Sequence, residues 1–201
     1  MEEKLAFLDE HYLSHFDYLD VDSVIQEQKA FGACQDVTLE YPVAENEGEE
    51  DNTYLSYNMV VGNAADSQMA MAFEVLDYAL LSAPGAPLKQ ALLDVKAGKD
   101  VYGSYDDGIL QPYFTVIAKG SNPDRKEEFV SVIRQVLGDI VKNGIDRKAV
   151  EAGINYFEFR YREADFSSYP KGLMYSLDIL GDWLYEKGNP FPQVPVSYTH
   201  L

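Results

Sequence analysis

The sequence predicts an α+β fold: an antiparallel sheet covered on one face by helices, with a C-terminal helical hairpin and a further helix. Segments in which apolar and polar residues alternate, as in β-strands, lie near 55–61, 101–105 and 112–118. The dipeptide Asp107-Gly108 is placed to turn the last two segments into a hairpin. Apolar residues at helical spacing then continue from about residue 123.

The length and composition predict one folded domain with a lead-in. The chain has 201 residues, of which 46% are hydrophobic and 13% aromatic, enough for a substantial core. We predict a lead-in helix and connecting segment at 1–35, a domain at 36–192 and a tail at 193–201. Residues 196–201 match a translated sequencing-library adapter, so we expect a truncated, partly foreign tail.

The first quarter of the sequence predicts a helix and a strand that precede the three strands named above. Residues 3–19 are typical of a short helix, and 21–31 form a connection without clear periodicity. Alternation at Val37, Leu39 and Tyr41, ended by Pro42, predicts a strand. The acidic run at 45–52 lacks the ligand spacing of a calcium loop, so we interpret it as a solvated hairpin loop.

Two helices are predicted between the first and second sheet strands. The strand containing Leu55 ends at Gly62, and Asp66 is placed to cap a helix whose apolar stripe is Met69, Phe73, Leu76 and Leu80. Pro84, Gly85 and Pro87 break this helix and start a short one that ends near Leu93. Pro112 is expected at a strand start or a sheet edge, because it lacks a backbone donor.

The second half predicts a helical hairpin and a last helix. Asn122-Pro123 is a cap and first turn, Gly144 ends that helix and Asp146 caps the next. The predicted buried stripes are listed by helix: Phe129, Ile133, Val136, Leu137 and Ile140 in the first, and Val150, Ile154, Phe157 and Tyr161 in the second. The last helix, about 169–185, carries Leu173, Leu177, Leu180 and Leu184.

Charge and segment lengths exclude several classes of partner. Lys and Arg number 16 against 34 Asp and Glu, a net charge of −18 that disfavours nucleic acid. The longest apolar stretch, 69–81, is interrupted by Glu74 and Asp77, so no membrane span is expected. Cys34 is the only cysteine, and the N-terminus lacks a signal-peptide pattern, so we expect a cytoplasmic protein.

Several motifs together resemble one family over about residues 5–192. They are Leu13-Ser-His-Phe-Asp17 with Asp22-Ser23, the run from Pro84 to Leu93, Leu110-Gln-Pro112, Lys119-Gly120, the helix 150–159 and Tyr169-Pro-Lys-Gly-Leu173. This series resembles the second, non-catalytic domain of presequence proteases, a branch of the pitrilysin/insulinase zinc metallopeptidase family. The resemblance implies a pitrilysin-type metallohydrolase domain. The segment 94–98 is less apolar than the family pattern.

His11 and His15 form the candidate metal pair, since positions four apart share a face of a helix. The family's zinc motif is His-x-x-Glu-His, and Ser14 occupies the position of its glutamate, which activates water. The resemblance also aligns this stretch with the entry into the second domain, after the zinc motif. We therefore interpret both histidines as surface residues.

Other candidate chemistry is weak. No Gly-x-Ser-x-Gly elbow occurs, and Cys34 has no plausible histidine partner. The run 103–108 lacks the lysine and helix start of a P-loop. Arg162 and Tyr169 invite comparison with the family's substrate-binding arginine and tyrosine, but those lie in its distant C-terminal half. We interpret Arg160 and Arg162 as paired with Glu158 or Glu163 at a bend between helices.

The prediction is therefore a fragment of a zinc metalloendopeptidase that degrades short unfolded peptides. The resemblance implies that this chain is a chamber-wall domain, that zinc is bound outside it, and that its partners are peptide substrate and the remaining domains. We predict no catalytic, cofactor-binding or metal-binding residue here, and no activity of the fragment alone. The alternative is a non-catalytic scaffold or peptide-binding subunit of the same fold.

Overall fold

The computed structural model describes residues 2–44, 48–163 and 168–185. Single turns of other helix types lie at Leu13–His15, Tyr78–Ser82 and Pro123–Arg125. The regular elements, in chain order, are α1 (Glu2–His11), β1 (Thr53–Val60), α2 (Ser67–Asp77), α3 (Pro87–Asp94), β2 (Asp100–Asp106), β3 (Tyr113–Ser121), α4 (Lys126–Asn143), α5 (Arg147–Glu163) and α6 (Lys171–Leu184). The predicted order of strands and helices from residue 53 onward is confirmed.

The three strands form one antiparallel sheet with β3 in the centre, between β1 and β2. One row of paired residues, Leu55, Ala118 and Val101, crosses all three strands and is buried. The adjacent row, Tyr54, Lys119 and Asp100, points to the opposite face and is exposed. This alternation follows from the two-residue period of a strand. It confirms the predicted α+β fold, with helices on one face of the sheet.

The helices α2, α3 and α4 build the core against the buried face. Asp66 accepts a hydrogen bond from the Met69 backbone N–H (3.0 Å) and so caps α2, as predicted. Pro87 opens α3 at its first turn, where a missing N–H costs nothing. The largest fully buried side chains are Leu81, Leu88, Leu92, Val101, Pro112, Val116, Phe129 and Ile133.

Gly103 permits an unusually close contact between β2 and the π-helical turn that follows α2. A Cβ atom at this position would lie 2.2 Å from Leu81 Cδ1 and 2.5 Å from Asp77 Oδ1. Such distances are far below van der Waals contact, so only glycine fits without a shift of the neighbours. Asp77 is the last residue of α2, and Leu81 belongs to the π turn at Tyr78–Ser82 that follows it.

Three predictions about local structure are wrong or incomplete. The helix predicted at 3–19 ends at His11, and one short turn, Leu13–His15, follows it. Residues 37–41 alternate as predicted, but the structure assigns them to no strand. Asn122 precedes the predicted turn, yet its side chain caps no helix; its Oδ1 instead accepts a hydrogen bond from the Asp51 backbone N–H (2.8 Å).

The helical hairpin is confirmed, but its second helix is less buried than predicted. Gly144 adopts a φ of +86° where α4 ends, and Asp146 Oδ1 accepts a hydrogen bond from the Lys148 N–H (2.9 Å). Ile154, predicted to face the core, is 49% exposed because α5 contacts the body mainly through α2 and the π turn. The side chain of Tyr161, the acidic residues 45–47 and the tail 193–201 lie outside what the structure describes.

Candidate functional site

The histidine pair does not form a metal site on one helix face. His11 is the last residue of α1 and His15 lies in the following turn, so the helical geometry that would align them is interrupted. Both side chains are exposed, and the His11 ring packs against Phe7 with 4.3 Å between ring centroids. Ser14 Oγ donates to the Glu10 carbonyl (3.1 Å). These residues do not fit a catalytic zinc ion.

The part of the chain that the structure describes contains no group of three or more His, Cys, Asp or Glu side chains that could hold a metal ion. Cys34 is exposed, and its thiol lies 3.9 Å from the Gln35 carbonyl oxygen. In the same described ranges, no helix is long and apolar enough to cross a bilayer.

The run 103–108 is the end of a strand and a turn rather than a phosphate cradle. Residues 103–106 belong to β2, where Gly103 provides close packing. Asp106 Oδ1 accepts a hydrogen bond from the Gly108 N–H (3.0 Å), which stabilises the predicted hairpin turn. No helix starts here to supply a cluster of free N–H groups.

The basic cluster after the hairpin forms local contacts. Arg162 pairs with Glu158 one helical turn earlier (2.5 Å), as predicted. Lys171 Nζ donates to the Glu163 carbonyl oxygen (3.0 Å) across the bend between α5 and α6. Tyr169 is 62% exposed at that bend. Arg162 and Lys171 are thus paired with groups that are close to them in the sequence.

Two surfaces of the chain expose many large apolar side chains. The first is the stretch 2–44, and we extend the name lead-in segment to all of it because no strand or helix separates residue 35 from residue 44. Its exposed members include Phe16, Leu19, Val24, Phe31 and Leu39. The second, which we call the α6 face, consists of Leu173, Leu177, Leu180, Trp183 and Leu184, each between 48% and 66% exposed. Contiguous exposed apolar surface of this kind marks an interaction site. All four leucines that the sequence predicts for the last helix lie on this face.

An open hollow of about 560 Å³ lies at the end of the sheet, next to residues 41–44. Tyr41 and Tyr54 meet there edge to face, and Lys119 Nζ lies 5.8 Å from the centre of the Tyr54 ring. Lys99 pairs with Asp51 (3.3 Å). Hydrogen bonds from Asn122 and Lys99 lower the pKa of the Asp51 carboxyl. The lining therefore offers tyrosine rings and paired charges, and includes no imidazole or thiol.

Asp77 is the polar group whose placement is most unusual. Its Oδ1 is buried without a hydrogen-bond partner among the described residues, while Oδ2 accepts a hydrogen bond from Ser82 Oγ (3.4 Å). Burial raises the pKa of this carboxyl. Burial, followed by the charges of Asp107, Glu74 and Asp66, also raises the pKa of Tyr105 to about 12.

Sequence reasoning noticed Asp77 only as an interruption of an apolar stretch. That interruption was the available signal, since an acid within a buried stripe requires an unusual environment. The contact with Gly103 joins positions 26 residues apart in sequence, and spacing alone does not reveal such a contact.

Sequence comparisons place most of the chain in one family. Residues 2–157 match the model for the peptidase M16 inactive domain. The chain is 43% identical to Protein HypA from Clostridium perfringens over 190 residues, which is 94% of this chain and 19% of that protein. It is 30% identical to presequence protease 1, chloroplastic/mitochondrial, from Arabidopsis thaliana, over 88% of this chain and 16% of the relative. The chain thus spans less than a fifth of these curated relatives.

Solved structures share the fold. The inactive peptidase domain of a proposed zinc protease from Bordetella parapertussis superposes with a TM-score of 0.56 at 15% identity, over 70% of this chain and 74% of that one. A proposed zinc protease from Bordetella pertussis gives a TM-score of 0.53, also at 15% identity, over 70% and 78% of the two chains. Together with the sequence matches, they show that this chain belongs to the peptidase M16 family and contains the family's inactive, non-catalytic domain.

Proposed function

We propose that this chain is the second domain of a presequence-protease-like zinc metalloendopeptidase that degrades short unfolded peptides. In that enzyme the domain forms part of the chamber wall, and the zinc ligands lie in another domain. The observation that carries the proposal is the match to the inactive domain together with 30% identity to a presequence protease. A cytoplasmic location remains a prediction.

The exposed surfaces support a role within a larger protein. The α6 face places leucines at positions 173, 177, 180 and 184, one stripe of an amphipathic helix. In the proposed enzyme the remaining domains cover this face and the lead-in segment. The relatives are more than five times as long as the matched region, which leaves ample protein to cover them.

The test uses the full coding sequence to which this chain belongs. The intact protein is expected to cleave an unfolded peptide, and a chelator should abolish that cleavage. The double substitution Leu177→Asp and Leu180→Asp should reduce cleavage, because it places charge on the α6 face. Val141→Asp is the matched control, since Val141 is an isolated α4 residue that is 85% exposed. Equal activity of both variants would contradict docking through α6.

The alternative is a non-catalytic scaffold or peptide-binding subunit of the same fold, and the match to the inactive domain fits it equally well. The coding sequence upstream of Met1 separates the two proposals. A His-x-x-Glu-His motif there supports the protease. Peptide binding without cleavage by the intact protein, and no such motif, would support the scaffold.

A further inference from the structure

A three-way junction joins the lead-in segment to two loops of the body. The turn after β1 and the loop before β3 are held together by two backbone hydrogen bonds. The Val61 N–H donates to the Pro112 carbonyl (2.8 Å), and the Ala64 N–H donates to the Leu110 carbonyl (2.8 Å). These bonds flank Gln111 and involve no atom of the lead-in segment, so they hold its backbone independently of that segment.

The Gln111 side chain binds both backbone groups of Gln28. Its Oε1 accepts a hydrogen bond from the Gln28 N–H (2.6 Å), and its Nε2 donates to the Gln28 carbonyl (3.1 Å). Two residues of an antiparallel ladder exchange bonds in the same way. The amide of Gln111 thus replaces one residue of a neighbouring strand.

Asn63 adds a second contact on the adjacent residue. Its Nδ2 donates to Glu27 Oε1 (2.6 Å), while its Oδ1 accepts a hydrogen bond from the Ala65 N–H (2.9 Å). The second bond orients the amide toward Glu27. Two side-chain amides on a prearranged junction therefore bind consecutive residues of the lead-in segment.

The rest of the lead-in segment has little to hold it in place. Residues 17–44 contain no helix or strand, and their side chains are exposed. Ordering an extended segment costs backbone entropy at every residue, so specific contacts are needed to give it one path. Asp36 pairs with Lys126 and Tyr41 donates to the Asn52 carbonyl further along. The contact at Gln28 precedes these two anchors in the chain.

We propose that Gln111 is a clasp that fixes the lead-in segment to the turn after β1 and the loop before β3, assisted by Asn63. This inference deepens the proposed function and rests on it in one respect: in a longer enzyme, the clasp would set the direction from which the preceding domain approaches. It also gives a physical role to the Leu110-Gln-Pro112 motif. Within this chain, Gln111 is a positioning residue.

The test is hydrogen exchange on the 201-residue chain, resolved for individual amides. The Gln28 N–H should exchange about tenfold more slowly than its unprotected rate, as one net hydrogen bond allows. Gln111→Ala should remove this protection. Gln111→Glu should keep part of it, because a carboxylate oxygen still accepts from the N–H. Trypsin cleavage after Lys29 should accelerate in Gln111→Ala.

Gln90→Ala is the matched control, because it also removes a side-chain amide, one bonded to Asp94 within α3 (2.7 Å). It should leave the Gln28 exchange rate unchanged. The buried Val116 N–H, at the centre of the sheet, should stay protected in every variant and so reports that the body is folded. Unchanged Gln28 exchange in a folded Gln111→Ala chain would overturn the clasp. If the parent protein cleaves no peptide, the proposed function fails while the exchange result stands.

Discussion

The body of the molecule, residues 53–143, and its flanks carry similar apolar patterns with opposite outcomes. In the body, leucines at helical spacing, such as Leu88 and Leu92, are completely buried. In α6, Leu173 and Leu177 have the same four-residue spacing, yet they are about half exposed. Spacing thus predicts which side of a helix is apolar, whereas burial requires a partner surface, which α4, the π turn and β2 supply to α3.

The largest expected difference between the two regions is the cost of removing a leucine. Leu88→Ala should lower the free energy of unfolding by about 2–5 kcal/mol, because it leaves a cavity in a packed core. Leu177→Ala should change it by less than about 0.5 kcal/mol, since the side chain has solvent around it. Urea unfolding measures both. Equal losses would show that α6 packs on the body and would break the comparison.

The next largest difference is expected when each of two glycines is replaced by alanine, because one of them is in close contact with its neighbours and the other is not. Gly103→Ala should destabilise the chain by about 1–3 kcal/mol, because the added methyl overlaps Leu81 and Asp77. Gly138→Ala, in α4, meets no atom within 4 Å and should stabilise the chain by about 0.5–1 kcal/mol through helix propensity. Thermal unfolding reports both. If Gly103→Ala leaves the stability unchanged, the contact of β2 with Leu81 and Asp77 relaxes easily.

Asp77 should make the stability of the body depend on pH. Its folded pKa is raised above the ordinary 3.8, so the folded chain binds the proton more tightly than the unfolded chain does. This stabilisation is present at low pH and is lost as pH rises from the ordinary value through the folded pKa. Asp77→Asn should remove that slope in unfolding free energy measured against pH.

Asp139→Asn, an exposed substitution on α4, is the control for Asp77 and should leave the slope in place. A pH profile identical in wild type and Asp77→Asn would show that the carboxyl is solvated in the folded chain.

The smallest expected effects concern surface cations. Arg134 lies 6.0 Å from the centre of the Tyr57 ring, and Arg134→Ala should cost about 0.5–1 kcal/mol. Arg162→Ala, which breaks the exposed pair with Glu158, should cost at most about 0.5 kcal/mol. Added salt should reduce the second effect to nothing measurable in urea unfolding. A larger loss of unfolding free energy for Arg162→Ala would show that this part of α5 is packed against other residues.

The sequence predicted well those features that local chemistry determines. The Asp66 cap, Pro87 at the start of α3 and the turn at Asp107-Gly108 depend on nearby residues, and all three are confirmed. The strand expected at 37–41 is wrong because alternation supplies a suitable face but no neighbouring strand to bond with. The helix expected to reach residue 19 ends at His11.

The contacts of Gln111 and Asp77 were less predictable because they join residues that are far apart in sequence. The pairing of Gln28 with Gln111 spans 83 positions, and the approach of Asp77 to Gly103 depends on the packing of a helix on a strand. The motif around Gln111 was singled out only through family resemblance. The absence of catalytic residues remains a prediction. It is based chiefly on the resemblance, which aligns His11 and His15 with the entry into the second domain, and also on Ser14 in place of a glutamate.

The most direct test is zinc content and peptide hydrolysis by the purified 201-residue chain. A domain that works only within a larger peptidase should bind no stoichiometric zinc and should leave an unfolded peptide intact, with or without chelator. One zinc per chain, together with cleavage that a chelator stops and added zinc restores, would contradict its assignment as a non-catalytic domain.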